Sequence, residues 1–308
     1  MHWGLAVNVY DTVRRIVEKC VIADRGGIDW LWVTDFPAVR HAPSLAAIVA
    51  ENVKRSRIGV GLVSPLLYGP EQIVQFMSTL IDNYGERFDL LIGPGDKTQL
   101  SRIGIEYGNI STLVTRLVSD VTKIRDELGQ RGYDGVRVWL GAQGPKMIAA
   151  SINADGVLLN YTDPKMLRWA LSILGDIPEG FQIGAFPPAL ITENPDCGKE
   201  YGLRKSAATV AMGLGRVVAL EFGLTDTLST ARRFLRKKQS IDQDIVDAID
   251  AATLKRFALC TTPEGACDYV KTLERMGLDM VTFGPPQGTS RKLVKNLVKT
   301  RKYWNDTA

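Results

Sequence analysis

Histidine is nearly absent from this 308-residue chain. Neither His2 nor His41 has a partner at metal-ligand or triad spacing, which leaves zinc-dependent and Ser-His-Asp mechanisms little support. Cysteine is also scarce. Cys20, Cys197, Cys260 and Cys267 are scattered with no Cys-x-x-Cys pair, so neither a metal cluster nor a disulfide framework is expected. No apolar run approaches the length needed to cross a bilayer, and Met1 leads directly into a candidate strand. A soluble, cytoplasmic chain without membrane partners is the expectation. One-sided charge is missing too: 38 Lys and Arg stand against 34 Asp and Glu, which gives no case for nucleic acid. The densest basic stretch, Arg232, Arg233, Arg236, Lys237 and Lys238, reads as a solvated helix face.

Short runs rich in Val, Ile, Leu and Trp alternate with longer amphipathic segments, the pattern of parallel strands covered by helices. Eight such strands are read: Trp3–Val9, Ile28–Val33, Arg57–Leu62, Phe88–Ile92, Val136–Leu140, Gly156–Asn160, Gln182–Ala185 and Met280–Phe283, each followed by helical signal. Gly26-Gly27 stops the first helix; Pro70-Glu71, Asp163-Pro164 and Thr262-Pro263-Glu264 open later ones. Eight β-then-α units are what a closed (β/α)8 TIM barrel needs. An open dinucleotide-binding sheet would carry Gly-x-Gly-x-x-Gly after its first strand, where this chain has Asn8-Val9-Tyr10-Asp11. Residues 1–308 therefore read as one barrel domain. The long spacing before the last strand, about 199–276, reads as a helical insertion.

Active sites of such barrels sit at the carboxyl ends of the strands. Five ends stand out: Thr34-Asp35-Phe36, Gly61-Leu62-Val63-Ser64-Pro65, Gly93-Pro94-Gly95-Asp96-Lys97, Gly141-Ala142-Gln143-Gly144-Pro145-Lys146 and Gly284-Pro285-Pro286-Gln287-Gly288. Glycines let backbone approach a ligand closely, so the loops after strands four and five suit a phosphorylated cofactor; plain turn chemistry is the competing reading of each. Asp35 and Asp96 have two roles open to them, a hydrogen-bonding partner of a ligand or a helix or turn cap. Lys97 pairs with Asp96 or an anionic ligand, or is solvated. Trp30, Trp32 and Trp139 fall in strands and read as core.

The rim segments Leu91-Ile92-Gly93-Pro94-Gly95-Asp96-Lys97 and Leu140-Gly141-Ala142-Gln143-Gly144-Pro145-Lys146-Met147 closely resemble those of the F420-dependent methylenetetrahydromethanopterin reductases of the luciferase-like superfamily. Trp32-Val33-Thr34-Asp35, Ile58-Gly59-Val60-Gly61 through Pro65, and Ala154 to Asn160 extend the resemblance over residues 3 to about 190, and Met276 to Gly288 more weakly beyond. The resemblance implies a luciferase-like barrel, commonly a homo-oligomer, binding coenzyme F420 across its carboxyl rim. It also implies a tetrahydropterin substrate, whose methylene carbon exchanges a hydride with the deazaflavin. Carried over, Asp35, Gly95, Asp96, Ala142, Gln143, Gly144 and Pro145 match positions lining the cofactor, and Asp96 is the catalytic candidate. Gly61-Leu62, with Val63 and Ser64, matches a bulge that in relatives holds a non-prolyl cis peptide behind the ring.

Two positions depart from that pattern. Ala6 stands where the reductases carry a Glu, and Phe36 where the superfamily often has His. Two further readings stay open: an FMN-dependent monooxygenase of the same superfamily, and a non-catalytic paralogue that keeps the barrel as a binding module.

Overall fold

A computed structural model describes residues 1–36, 39–95, 97–106, 108–238 and 241–307. In chain order the elements are β1 (His2–Val7), α1 (Val13–Arg25), β2 (Trp30–Val33), α2 (Ala42–Asn52), β3 (Arg57–Val63), α3 (Pro70–Tyr84), β4 (Phe88–Ile92), α4 (Lys97–Arg102), α5 (Ile110–Gln130), β5 (Arg137–Ala142), α6 (Pro145–Ala150), β6 (Gly156–Leu159), α7 (Pro164–Leu174) and β7 (Gln182–Ala185). There follow β8 (Ala189–Ile191), α8 (Tyr201–Met212), α9 (Arg216–Glu221), α10 (Thr225–Lys238), α11 (Gln243–Asp247), α12 (Ala251–Lys255), β9 (Leu259–Thr261), α13 (Pro263–Arg275), β10 (Met280–Phe283) and α14 (Arg291–Thr307). The strands close into a parallel barrel in the order β1-β10-β7-β6-β5-β4-β3-β2. The eight strands expected from sequence are the eight strands of this barrel, with ends that match or shift by at most two residues.

Three details differ from expectation. β7 is followed not by a helix but by β8, which pairs in parallel with β9 as a separate two-stranded sheet. The segment 199–276 is therefore helical only as far as α12; β9 and then α13 complete it. Cys197 and Cys260 form a disulfide across 63 residues of sequence, against the expectation of none. Long separation hides such a pairing from any spacing rule, because only the β8–β9 sheet brings the two cysteines together.

Burial lifts the thiol of Cys20 to about 12 and that of Cys267 above its ordinary value. Both should be inert in the folded protein. Thiol titration of the denatured chain without reductant is expected to count two cysteines, rising to four after reduction. Four before reduction would remove the bridge.

The barrel interior is organised in rows, because side chains alternate in and out along each strand. Trp30, Trp32, Leu91, Trp139, Leu158 and Met280 form one enclosed cluster inside, with Leu62 and Phe186 packed against it. The alternate residues, such as Leu31, Val33, Val60, Leu90, Leu140 and Val157, join the larger core beneath the helices. Small residues make room for the indoles: a Cβ on Gly59 would lie 2.0 Å from Trp32 Cε3, and one on Gly156 2.7 Å from Trp139 Cε3. The three tryptophans are thus core, as their sequence positions suggest.

The amino end of the barrel is sealed by charge. Asp89 is wholly buried and accepts hydrogen bonds from Trp30 Nε1, from Arg57 Nε at 3.2 Å and its terminal nitrogen at 2.6 Å, and from the Arg137 amide at 3.2 Å. No described helix is long and apolar enough to cross a membrane.

Candidate functional site

The same alternation identifies what faces the carboxyl mouth. Counting two residues on from the enclosed cluster along each strand, the top inner row holds Gly141 after Trp139, Asn160 after Leu158 and Phe186 after Gly184. Ala6 of β1 pairs with Trp32 and is buried in this row, and Gly61 of β3 and Gly93 after β4 continue it. Glycine and alanine dominate, so this row carries little side-chain volume of its own where the layer below is filled with indole.

Leu62 lies across this mouth. The Gly61–Leu62 bond is cis and Gly61 has φ +141°, in a region that favours glycine, and a Cβ there would lie 2.2 Å from the Leu91 carbonyl oxygen. A Cβ on Gly93 or on Gly141 would lie 2.4 Å or 2.6 Å from Leu62 Cδ1. The half-buried Leu62 side chain therefore touches the ends of both β4 and β5. The two glycine-rich junctions read from sequence adjoin one another in space, with an apolar pad between them.

Hydrogen bonds fix these junctions. Val63 accepts from the Gly93 amide at 3.1 Å, and buried Ser64 donates through Oγ to the Pro94 carbonyl at 2.9 Å, so the β3 and β4 ends move as one. Gly95 packs beside Ser64, with φ +82°. Asp96 lies outside the described residues. Ala142 ends β5 and accepts from the Asn160 amide at 3.1 Å. Around Gly144, which precedes Pro145 and α6, a Cβ would meet nothing within 4 Å, leaving open space beside the rim.

Gln143 takes a role that sequence reasoning missed. Its Nε2 donates to the Val210 carbonyl of α8 at 2.9 Å, and the buried Tyr161 hydroxyl donates to its backbone carbonyl. Gln143 thereby ties the β5 rim loop to the helices after β8, a contact no local pattern announces. Asp35 behaves as the capping reading had it: its Oδ1 accepts from the Ala42 amide opening α2 at 3.0 Å and from Tyr68 Oη at 3.5 Å. Burial raises its pKa above the ordinary carboxylate value, against the lowering effect of those two hydrogen bonds.

The positions that depart from the reductase pattern lie on the β1 side of the mouth. Ala6 is buried, and the β10 loop closes over it so tightly that a Cβ on Gly288 would lie 2.3 Å from the Ala6 oxygen. Gln287 of that loop is fully buried and spoken for: it accepts from the Ile191 amide at 2.8 Å and donates to the Leu293 carbonyl at 2.7 Å. Phe36 packs on Tyr10 with ring centroids 5.4 Å apart. Lys19 is buried and pairs with Asp11 at 3.2 Å while donating to the Thr289 carbonyl at 3.3 Å, locking the β1 and β10 loops together. Burial raises the Asp11 pKa, but the hydrogen bond and charge of Lys19 outweigh it and leave the group below its ordinary value. No group of three or more His, Cys, Asp or Glu suited to a metal exists among the described residues.

The strands close into a parallel (β/α)8 barrel whose two glycine-rich junctions adjoin at the carboxyl mouth, and residues 3–109 match the family model described as luciferase-like monooxygenase. Along most of its length it resembles the 5,10-methylenetetrahydromethanopterin reductases. It is 24% identical to the one from Archaeoglobus fulgidus, covering 88% of this chain and 89% of that protein. To the one from Methanolobus tindarius it is 22% identical, covering 97% and 98%. The solved structure of the coenzyme F420 dependent tetrahydromethanopterin reductase from Methanopyrus kandleri superposes with a TM-score of 0.82 at 19% identity, covering 97% of each chain.

Proposed function

We propose that this chain is an F420-dependent oxidoreductase that transfers a hydride between the reduced deazaflavin and a methylenetetrahydropterin-like substrate. The observation that carries the reading is the meeting of the β4 and β5 junctions on Leu62 beneath a mouth lined by glycine and alanine. A flat, ring-bearing guest would find an apolar face in Leu62, and the open space at Gly144 would leave room for its polar tail. A buried carboxamide oxygen of Asn160, without a hydrogen-bond partner among the described residues, is free for such a guest. Reduced F420 supplies, when bound, a hydride donor whose chemistry belongs to the cofactor rather than to any side chain.

What the protein contributes is alignment and exclusion of water. Leu62 would back the ring. Ser64 and Gly95 hold the β4 loop, and Ala142 to Pro145 hold the β5 loop, the latter braced through Gln143 on α8. Asp35 shapes the wall next to α2, and Asp96 enters the reading through the resemblance alone. Ala6 leaves the β1 wall without the carboxylate of the reductases. The substrate we favour is therefore one whose reducible carbon reacts without an acid at that wall.

Titrating the protein with F420 and following its fluorescence tests the reading. Saturable quenching in the micromolar range is expected, with no comparable response to FMN. A protein that is yellow as purified and binds FMN alone would make it a flavin monooxygenase, and binding of neither would leave a scaffold.

A further inference from the structure

Asn160 is a polar side chain that the inner row brings to the mouth, next to Phe186 of the neighbouring strand end. Its backbone is held on both sides, since its amide donates to Ala142 and the Phe186 amide donates to the preceding Leu159 carbonyl at 2.8 Å. The carboxamide is thus placed by the sheet rather than by a mobile loop. Its Oδ1 is buried with no hydrogen-bond partner among the described residues. A buried acceptor left unpaired is unfavourable, so a native one calls for a partner that is not part of the chain. Among the other unpaired buried atoms, the indole nitrogens of Trp32 and Trp139 lie a layer deeper among packed rings, that of Trp3 lies in the larger core, Ser78 and Asp120 belong to the helical layer, and Thr162 Oγ1 lies two residues beyond Asn160 on a hydroxyl rather than a carboxamide.

We propose that Asn160 recognises a cyclic amide edge, N–H beside C=O, on the ring of the molecule that occupies the barrel mouth. A carboxamide presents an acceptor and a donor side by side, the complement of such an edge. A carboxylate would lack the donor. Leu62 and the half-buried Phe186 supply apolar surface for the faces of the same ring. The inference rests on the function proposed above, in which both guests carry this edge: the deazaflavin in its pyrimidinedione and the pterin in its pyrimidinone.

Asn160→Leu removes both polar groups at similar size, and Asn160→Asp keeps the acceptor without the donor. The dissociation constant for F420 and the KM for methylenetetrahydromethanopterin at saturating F420 are measured for both variants and the parent, each with its thermal midpoint. In Asn160→Leu one of the two constants is expected to rise about tenfold or more, the loss of one good hydrogen-bonded edge, and Asn160→Asp is expected to move the same constant. A rise in the F420 constant assigns the edge to the cofactor; a rise in KM alone assigns it to the pterin. If Asn160→Leu does not fold, Asn160→Asp decides. A parent that binds F420 and a folded variant that leaves both constants unchanged would overturn the inference while the function stands. A parent that binds no F420 would overturn both.

Discussion

Asp89→Ala is expected to destabilise the barrel by about 3 kcal/mol, the lower end of the cost of breaking a buried charge pair. The carboxylate is wholly inaccessible and gathers donors from β2, β3 and β5 onto β4: the Trp30 indole, the Arg57 guanidinium and the Arg137 amide. Removing it leaves three donors facing a small cavity. Arg57 keeps acceptors in the Phe88 and Gly135 carbonyls and is partly solvated, which holds the loss to the lower end of the range. The site lies at the opposite end of the strands, so F420 affinity per folded molecule should be unchanged. Urea unfolding measures the first claim and fluorescence titration the second. A loss well under about 1 kcal/mol would show that the amino end is not held by this carboxylate.

Gly59→Ala tests how the mouth is kept open. The added methyl would sit 2.0 Å from Cε3 of Trp32, a ring with no exposed surface whose edge already meets Trp139 at a centroid distance of 6.1 Å. Trp139 has no room to retreat, because Gly156 stands against it as Gly59 stands against Trp32. Overpacking of this kind costs about 1–3 kcal/mol, and the upper end is expected here. The available escape for Trp32 is upward, into the row of Ala6 and Gly61, so F420 affinity should fall as well. Combining Gly59→Ala with Trp32→Leu restores the space. The double variant should be more stable than the sum of the two single losses by about 1 kcal/mol or more. Strict additivity, or an unchanged affinity for the cofactor, would mean that the glycine is not there for the indole.

How legible the site was varied with how local its cause is. Asp35 was open between cap and ligand contact; its bond to the Ala42 amide shows the cap, which needs only a helix start seven residues on. Gln143 was read as lining the cofactor. Its side chain also reaches Val210, 67 residues away, and no periodicity encodes where a carboxamide finds a distant carbonyl. Asn160 was read as the last residue of a strand that ends one residue earlier, at Leu159, and its importance rests on the inward parity of β6 and on an acceptor without a partner among the described residues, both properties of the assembled barrel. The same holds for Cys197 and Cys260, which the β8–β9 pairing brings together, and for those strands themselves, three residues each and too short for a pattern.

The amino-acid order alone determined that eight buried strands alternate with helices, since strands covered on both faces must be apolar throughout and their helices must start and stop on Pro, Gly and Asp. It also placed glycine at the junctions after β4 and β5. Closure of the sheet decided the rest. It turned alternate residues into one shared interior, stacked the glycine row above the tryptophan row, and set Leu62 across two strand ends that lie some 30 and 80 residues along the chain from it. Contacts of that kind depend on which strands become neighbours and in what register, and a one-residue slip would have turned the same side chains outward.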